Sequence, residues 1–485
     1  MQAPWQPKPG DVIVRRPRQA EIAPVQIRLT RRSVPVRGMS SPMLVVYGFL
    51  GLVTLGTVLL FLPIANTHGE FTPIIDAVFT AVSAVTVTGL VVVDTATYWS
   101  AFGQGVIFAL IFVGGLGFMT SAAFLLILVG QRLGLQNQLA IRQGLGVRQL
   151  GGLATLVRNI VITAIVLQMF GGLALYLRWY VFGSLWDGIP PAEAVWQSAF
   201  HAVSAFNNAG FVVFPPERVA GDSVTAFGTD YAVLGIIGIL IIFGGIGYAV
   251  IYDVVRVRRI SRFSLDTKLV LVASAVLLFA GAALIFGTEF NRPGTLGGRS
   301  VPAKAAEAVF QSVSGRTAGF STIDWGQTSD HTNVAVQALM FIGGASASTA
   351  GGIKIGTFAV IVITILATVR AKRHILVFGR EIPADIVRQA MVVGAVASAA
   401  VFTFTFLMAA VEDLPFSKIL FETVSAFGTV GLSTGITAEL SDWGKGILAA
   451  TMFMGRFGPL TLALLMQGRE HVEPYRFAEE SIRIG

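Results

Sequence analysis

Long apolar runs alternate along this chain with short amphipathic stretches and polar, glycine-rich loops, and the alternation repeats. The apolar runs occupy approximately 43–64, 103–130, 156–182, 231–254, 268–287, 333–370, 388–411 and 445–467. As helices, runs of about 20 residues are long enough to cross the hydrocarbon core of a bilayer. Amphipathic stretches at 73–85, 191–206, 302–313 and 415–427 follow the first, third, fifth and seventh runs, and each opens on proline. Proline is tolerated at a helix start because the N–H it lacks has no intrahelical partner there. A polar loop follows each stretch. The unit is run, half-helix, polar loop, run, and it occurs four times. This predicts an all-α integral membrane protein of eight transmembrane spans, with four tandem repeats in pseudo-fourfold array around one central pore.

The loops are variants of one another. They read Val-Ser-Ala-Val-Thr-Val-Thr-Gly-Leu (82–90), Val-Ser-Ala-Phe-Asn-Asn-Ala-Gly-Phe (203–211), Ser-Val-Ser-Gly-Arg-Thr-Ala-Gly-Phe-Ser (312–321) and Val-Ser-Ala-Phe-Gly-Thr-Val-Gly-Leu (424–432). Their glycines, Gly89, Gly210, Gly319 and Gly431, are 121, 109 and 112 residues apart. In the third loop the Val-Ser pair is one residue nearer its glycine, so the helix behind it is expected to end differently. Irregular backbone at membrane depth is tolerated only when it is buried in protein or lines a watery cavity. The C-terminal end of each half-helix carries partial negative charge, which favours a cation. Backbone carbonyls can replace a cation's hydration shell, and glycine lets the chain turn them inward without a Cβ clash. The loops contain no carboxylate. Calcium or magnesium would ordinarily need one, so the pattern suits a monovalent cation such as K⁺.

The second run of each unit also repeats, with Gly114-Gly115, Gly244-Gly245, Gly343-Gly344 and Gly455-Arg456 in equivalent places. Loop glycine and run glycine are 25, 34, 24 and 24 residues apart, so the second unit has about ten extra residues, expected within 215–230. Small residues allow close helix packing. Arg456 replaces one of these glycines, and an arginine inside a membrane is costly enough to mark function. Two roles fit: a barrier or gate on the axis, or a buried ion pair that locks two repeats together. Residues 343–352 are all small, and four of them are glycine. Such a stretch makes a poor helix. The run 333–370 therefore reads as helix, intramembrane loop and helix, with the loop a gate candidate. Lys354 either anchors that loop or snorkels toward the cytosol. Asp76 suits the first turn of its half-helix, Glu422 is placed to brace the fourth loop from behind, and His201 reads as a structural histidine.

Charge orients the chain. Residues 1–40 carry Lys8, Arg15, Arg16, Arg18, Arg28, Arg31, Arg32 and Arg37 against Asp11 and Glu21. Basic residues also dominate the linkers 131–158, 255–268 and 370–388, while 65–102 holds Glu70, Asp76 and Asp94 and no lysine or arginine. Basic loops stay in the cytosol, which places both termini and all three linkers there. The net charge of +8 follows from this asymmetry, so nucleic acid is not an expected partner. The composition, 54% hydrophobic and 13% charged, excludes an ordinary soluble domain, and the lack of cysteine excludes disulfides and thiolate metal sites. No cleavable signal peptide is evident. No His pair has metal-ligand spacing, and no P-loop, GxSxG or HExxH is present, so no enzyme activity is expected.

The loop motifs Thr88-Gly89-Leu90, Asn207-Asn208-Ala209-Gly210-Phe211, Arg316-Thr317-Ala318-Gly319-Phe320 and Gly428-Thr429-Val430-Gly431-Leu432 resemble the four filter motifs of the Trk/Ktr/HKT superfamily of potassium transporters. The Gly-Arg-Phe-Gly-Pro-Leu-Thr run from Gly455 and the Gly351-Gly352-Ile353-Lys354 stretch match as well, and the resemblance covers about 40–468. Eight spans look more like the Ktr-type subunit. The resemblance implies a K⁺ selectivity filter at Val87, Thr88, Gly89, Asn208, Ala209, Gly210, Thr317, Ala318, Gly319, Thr429, Val430 and Gly431. It implies an intramembrane gate at Ala345, Ser346, Ala347, Ser348, Thr349, Ala350 and Gly351 with Lys354, and a pore-gating arginine at Arg456. It further implies a homodimer in the bacterial inner membrane on a cytosolic ring of RCK/KTN-type nucleotide-binding subunits. No cofactor belongs to this chain, and ATP, ADP or NAD is expected only on that ring. Family members with glycine in all four filters favour K⁺, whereas some plant relatives with serine in the first carry Na⁺. Only the glycine of a true K⁺-channel signature survives in each loop, which implies modest discrimination against Na⁺. The segments are then an N-terminal tail (1–40), repeats at 41–150, 151–262, 263–386 and 387–468, and a C-terminal tail (469–485). The alternative is an alternating-access symporter coupled to Na⁺ or H⁺. That usually needs a titratable residue at the midplane, and tandem rather than inverted repeats disfavour it.

Overall fold

A computed structural model describes residues 41–116, 153–183, 190–216, 219, 223–372 and 374–467. Both expected tails, the later part of the second apolar run and most of the first basic linker lie outside the described residues. Those described form fourteen α-helices and one two-stranded hairpin. The first unit is α1 (Ser41–Phe61), α2 (Ile74–Thr86) and α3 (Ala101–Gly115). The second is α4 (Leu153–Tyr176), α5 (Pro191–Phe206), α6 (Tyr231–Ile246) and α7 (Tyr248–Val257). The third is α8 (Leu265–Glu289), α9 (Val301–Ser314), α10 (Asp330–Phe341) and α11 (Ile355–Val369). The fourth is α12 (Ala384–Val411), α13 (Phe416–Gly428) and α14 (Asp442–Gln467). An antiparallel hairpin, β1 (Leu376–Val377) with β2 (Arg380–Glu381), joins α11 to α12.

The helices begin where the sequence supplies acceptors or proline. Ser100 accepts from the amide of Gly103, Asp230 from those of Ala232 and Val233, and Ser264 from that of Thr267. These bonds satisfy amides that have no partner within the helix. The half-helices α2, α5, α9 and α13 have proline at the cap or in the first turn.

Polarity is arranged inside out. The half-helices are central, and Ser83, Ser204, Ser314 and Ser425 on them are fully buried. The outer helices turn large apolar side chains outward: Met169 and Phe170 on α4, Phe279 on α8, Phe402 and Phe406 on α12. Exposed apolar surface this extensive suits a lipid surround. Among the described residues, three helices are long and apolar enough to cross a membrane by length and composition, or four if α6 and α7 count as one bent span.

The run 231–254 is a broken helix: Gly247 takes φ 83° and turns α7 by 94° from α6. Only glycine adopts that conformation readily. The break expected in 333–370 is present between α10 and α11. Part of the extra segment of the second unit crosses to the third, where the Val224 amide donates to the Ser321 carbonyl (3.0 Å) and the Ser321 amide to Ser223 Oγ (2.9 Å).

Candidate functional site

The four half-helices end three to five residues before their loop glycines, and two residues before each glycine the backbone turns into the left-handed region. Val87, Asn208, Thr317 and Thr429 have φ of 51°, 58°, 80° and 49°. Two residues on, Gly89, Gly210, Gly319 and Gly431 have φ of 88°, 71°, 79° and 89°. Each non-glycine residue held this way costs roughly 1–2 kcal/mol, so the surroundings must impose the conformation four times.

The glycines close a ring. A Cβ on Gly89 would collide with the carbonyl oxygen of Ala209, one on Gly210 with that of Ala318 (2.8 Å), one on Gly319 with that of Val430 (2.5 Å), and one on Gly431 with that of Thr88. Each unit thus meets the next, and the fourth returns to the first. Four carbonyls, each from the residue before a glycine, lie against the neighbouring loop's glycine. The Asp76–Lys445 ion pair (2.7 Å) also ties the fourth unit to the first, through α2 and α14.

Each loop is braced by its own half-helix. The amides of Thr88, Ala209, Ala318 and Val430 donate to the carbonyls of Ser83, Ser204, Ser314 and Ser425. The hydroxyls of Ser83, Ser204 and Ser314 donate to the carbonyls of Leu90, Phe211 and Phe320 at 2.8, 2.8 and 2.5 Å. Ser425 Oγ accepts from the Gly431 amide (3.2 Å). The one-residue shift in the third loop appears as a half-helix that ends on Ser314 itself.

Another brace stands eight or nine residues before the glycine in three loops. Buried Glu422 accepts from the Thr434 amide and the Ser433 hydroxyl at 2.8 Å, and from the Thr437 hydroxyl at 2.8 Å. Gln311 Nε2 donates to Thr322 Oγ (2.9 Å). His201 accepts from the Val213 amide at Nε2 (3.3 Å), while Nδ1 lies 2.7 Å from the Gln197 carbonyl. Glu422 therefore braces as expected, and both nitrogens of His201 are occupied. Gln311 was not anticipated, because the shifted third loop hides its equivalence. We expect Glu422→Ala to strand the Thr434 amide and to lower stability by about 2–3 kcal/mol, read as a lower thermal midpoint in detergent.

Asn208 joins two loops. With its amide nitrogen toward the carbonyls of Ala205 and Ile241, its oxygen accepts from the Thr317 hydroxyl at 3.2 Å. Arg316 points away from the ring and donates to the Ser274 carbonyl on α8 (3.3 Å).

Next to the ring, the glycine pairs pack onto the half-helix ends. A Cβ on Gly114, Gly244 or Gly455 would strike the carbonyl of Val85, Phe206 or Phe427. Loop 342–354 lies at this level. The Ala345 amide donates to the Gly245 carbonyl (2.9 Å), that of Thr349 to Gly244 (3.3 Å) and that of Gly352 to Gly455 (3.3 Å). The carbonyl of Ser346 lies against Gly247. Ala347 has φ 58° and packs on the core of the first two units. Ser348 Oγ donates to the Ala345 carbonyl (2.6 Å) and accepts from the Ala350 amide (3.3 Å). Gly351 abuts the side chain of Thr429 in the fourth loop of the ring, where a Cβ would collide. Arg456 donates to the carbonyls of Thr349 and, at 3.0 Å, Gly114. Lys354 donates to the Ala350 carbonyl, which is the anchoring role of the two considered. Among the described residues no carboxylate forms an ion pair with Arg456. It ties the loop to the first unit through carbonyls.

A mostly helical body with an apolar exterior and polar loops gathered at its centre is the architecture of a multi-pass membrane protein. The chain belongs to the TrkH family of cation transport proteins, whose model matches residues 22–470. It is 41% identical over 422 residues to the Ktr system potassium uptake protein B of Bacillus subtilis, covering 87% of this chain and 91% of that one. It is 38% identical to the protein of that name from Vibrio alginolyticus, covering 92% and 95%. It is 35% identical to the potassium/sodium uptake protein NtpJ of Enterococcus hirae, covering 94% and 99%. The fold is similar to the crystal structure of the potassium transporter TrkH from Vibrio parahaemolyticus, with TM-score 0.66, 17% identity, and 91% and 87% of the two chains covered.

Proposed function

We propose that this chain carries K⁺ into the bacterial cell across the inner membrane, down the electrochemical gradient, through a filter made by the four loops. The observation that carries this reading is the closed glycine ring, with the Thr88, Ala209, Ala318 and Val430 carbonyls at its contacts. Carbonyls held this way can replace the hydration shell of a monovalent cation. The four half-helices direct their C-terminal ends at the same place. The relatives named as potassium uptake proteins support K⁺ as the ion. A potential of 100 mV supplies about 2.3 kcal/mol per charge, enough for roughly 50-fold accumulation. Each unit contributes two spans, eight in all, with both termini cytosolic.

Loop 342–354 closes the path on the cytosolic side of the filter, and Arg456 holds it there while placing a positive charge on the route. The relatives named as parts of a Ktr system support a membrane subunit that works with others. The expected partners are a second copy of this chain and a cytosolic nucleotide-binding ring. A coupled carrier is the other reading, and the potassium/sodium name of one relative keeps Na⁺ among the ions to test. Expression in bacteria stripped of their own K⁺ uptake tests the proposal. Growth at micromolar K⁺ is expected, and growth no better than that of the empty strain contradicts it.

A further inference from the structure

Helix α7 contributes no residue to the glycine ring or to loop 342–354. It leaves α6 at 94° through Gly247. With α6 crossing the membrane, α7 runs along its cytosolic surface. Its faces are segregated. Val250 is buried in a cluster with Ile342, Ala345 and Ile355. Tyr252 and Val255 are exposed, as is Ile260 in the short turn that follows (76%). Arg256, Arg258, Arg259 and Arg262 are interleaved with them and are all exposed. Arg256 donates to the Tyr252 hydroxyl (2.9 Å). The acids nearby are Asp253 and Asp266. Asp253 is committed to the Ser264 amide (3.0 Å) and the Thr267 hydroxyl (2.7 Å). Lys268 donates to the Ser261 carbonyl (2.8 Å). The four arginines therefore face outward beside apolar side chains, the composition of a helix that lies in a membrane interface. Basic groups at that depth attract anionic lipid.

We propose that α7 and the turn after it bind the headgroups of anionic phospholipids, and that this contact sets the position of loop 342–354. The second part rests on the gate reading above. The coupling is short. The Gly244 and Gly245 carbonyls just before the bend accept from Thr349 and Ala345 of the loop, Gly247 abuts the Ser346 carbonyl, and Val250 packs on Ala345. Tyr248 and Ile251 of α7 line a small cavity together with Ala347, Ser348 and Thr349 of the loop.

The chain has no cysteine, so Val255→Cys gives one labelling site on the exposed face. A fluorophore there, in vesicles of the full chain, is quenched by brominated phosphatidylglycerol or by brominated phosphatidylcholine. The expected result is an apparent preference of about fivefold or more for phosphatidylglycerol, abolished in R258Q/R259Q/R262Q. K⁺ flux in matching unbrominated vesicles is expected to change by a similar factor between the two lipids. Equal quenching overturns the lipid site and leaves the face to a protein partner. A preference that survives the triple substitution also overturns it. Flux that follows the potential but ignores the lipid overturns the coupling. A chain with no flux at all contradicts the transport reading, while quenching still decides the lipid contact.

Discussion

Gly319→Ser is expected to cut the preference for K⁺ over Na⁺ about tenfold or more, with the protein still folded. The glycine has φ 79°, and a Cβ there would lie 2.5 Å from the Val430 carbonyl oxygen. That oxygen belongs to the next loop and, in the proposed filter, faces the ion. The side chain must therefore displace a coordinating carbonyl or straighten its own backbone. A change of about 1.4 kcal/mol in the relative fit of two ions is a tenfold change in preference, and the left-handed conformation alone costs a side chain that much. The measurement is competition of Na⁺ against Rb⁺ uptake. Unchanged discrimination in a folded variant would sink the filter assignment. Gly315→Ser is the control. It lies four residues away with φ −60°, and a Cβ there has only the Gln311 carbonyl, at 3.0 Å, as a close neighbour. Discrimination there is expected to stay near that of the parent.

Arg456→Ala is expected to raise basal K⁺ flux about tenfold or more. The guanidinium donates to Thr349 in the loop and to Gly114 in the first unit. A hydrogen bond to a charged group contributes about 1.5–3 kcal/mol, so losing one such tie to the closed loop is sufficient for the change. The substitution also removes a positive charge from the proposed route of the cation. Arg456→Lys keeps the charge but has one point of attachment, and its flux is expected to fall between the two. Flux of Arg456→Ala equal to that of the parent, in folded protein, would leave the arginine a purely structural tie.

Much of this arrangement was legible before the fold. The loop glycines were visible because a left-handed backbone position favours one residue type, and the pattern recurs four times. Loop 342–354 was visible because a run of glycine, serine and alanine lacks what holds a helix together. The bend at Gly247 was hidden, since its Gly-Gly-Ile-Gly run matches Gly-Gly-Leu-Gly in the first unit. The bend accompanies contact with a loop about a hundred residues away, where the Ser346 carbonyl lies against Gly247. The serines of the Val-Ser-Ala motif were visible as repeated letters, but their role depends on the chain doubling back to present a carbonyl. Asp76 was placed at a helix start, whereas its partner Lys445 lies 369 residues on. Pairings of that range depend on the closure of the ring, which no local pattern records.

Cation flux into liposomes holding the purified chain tests the central claim most directly, with K⁺, Rb⁺, Na⁺ and Li⁺ compared under an imposed potential and Arg456→Ala measured beside the parent. A filtered pore predicts flux that follows the potential, prefers K⁺ and Rb⁺, and rises in the variant. Flux in both proteins that requires a Na⁺ or H⁺ gradient and is absent under potential alone would contradict it and favour a coupled carrier.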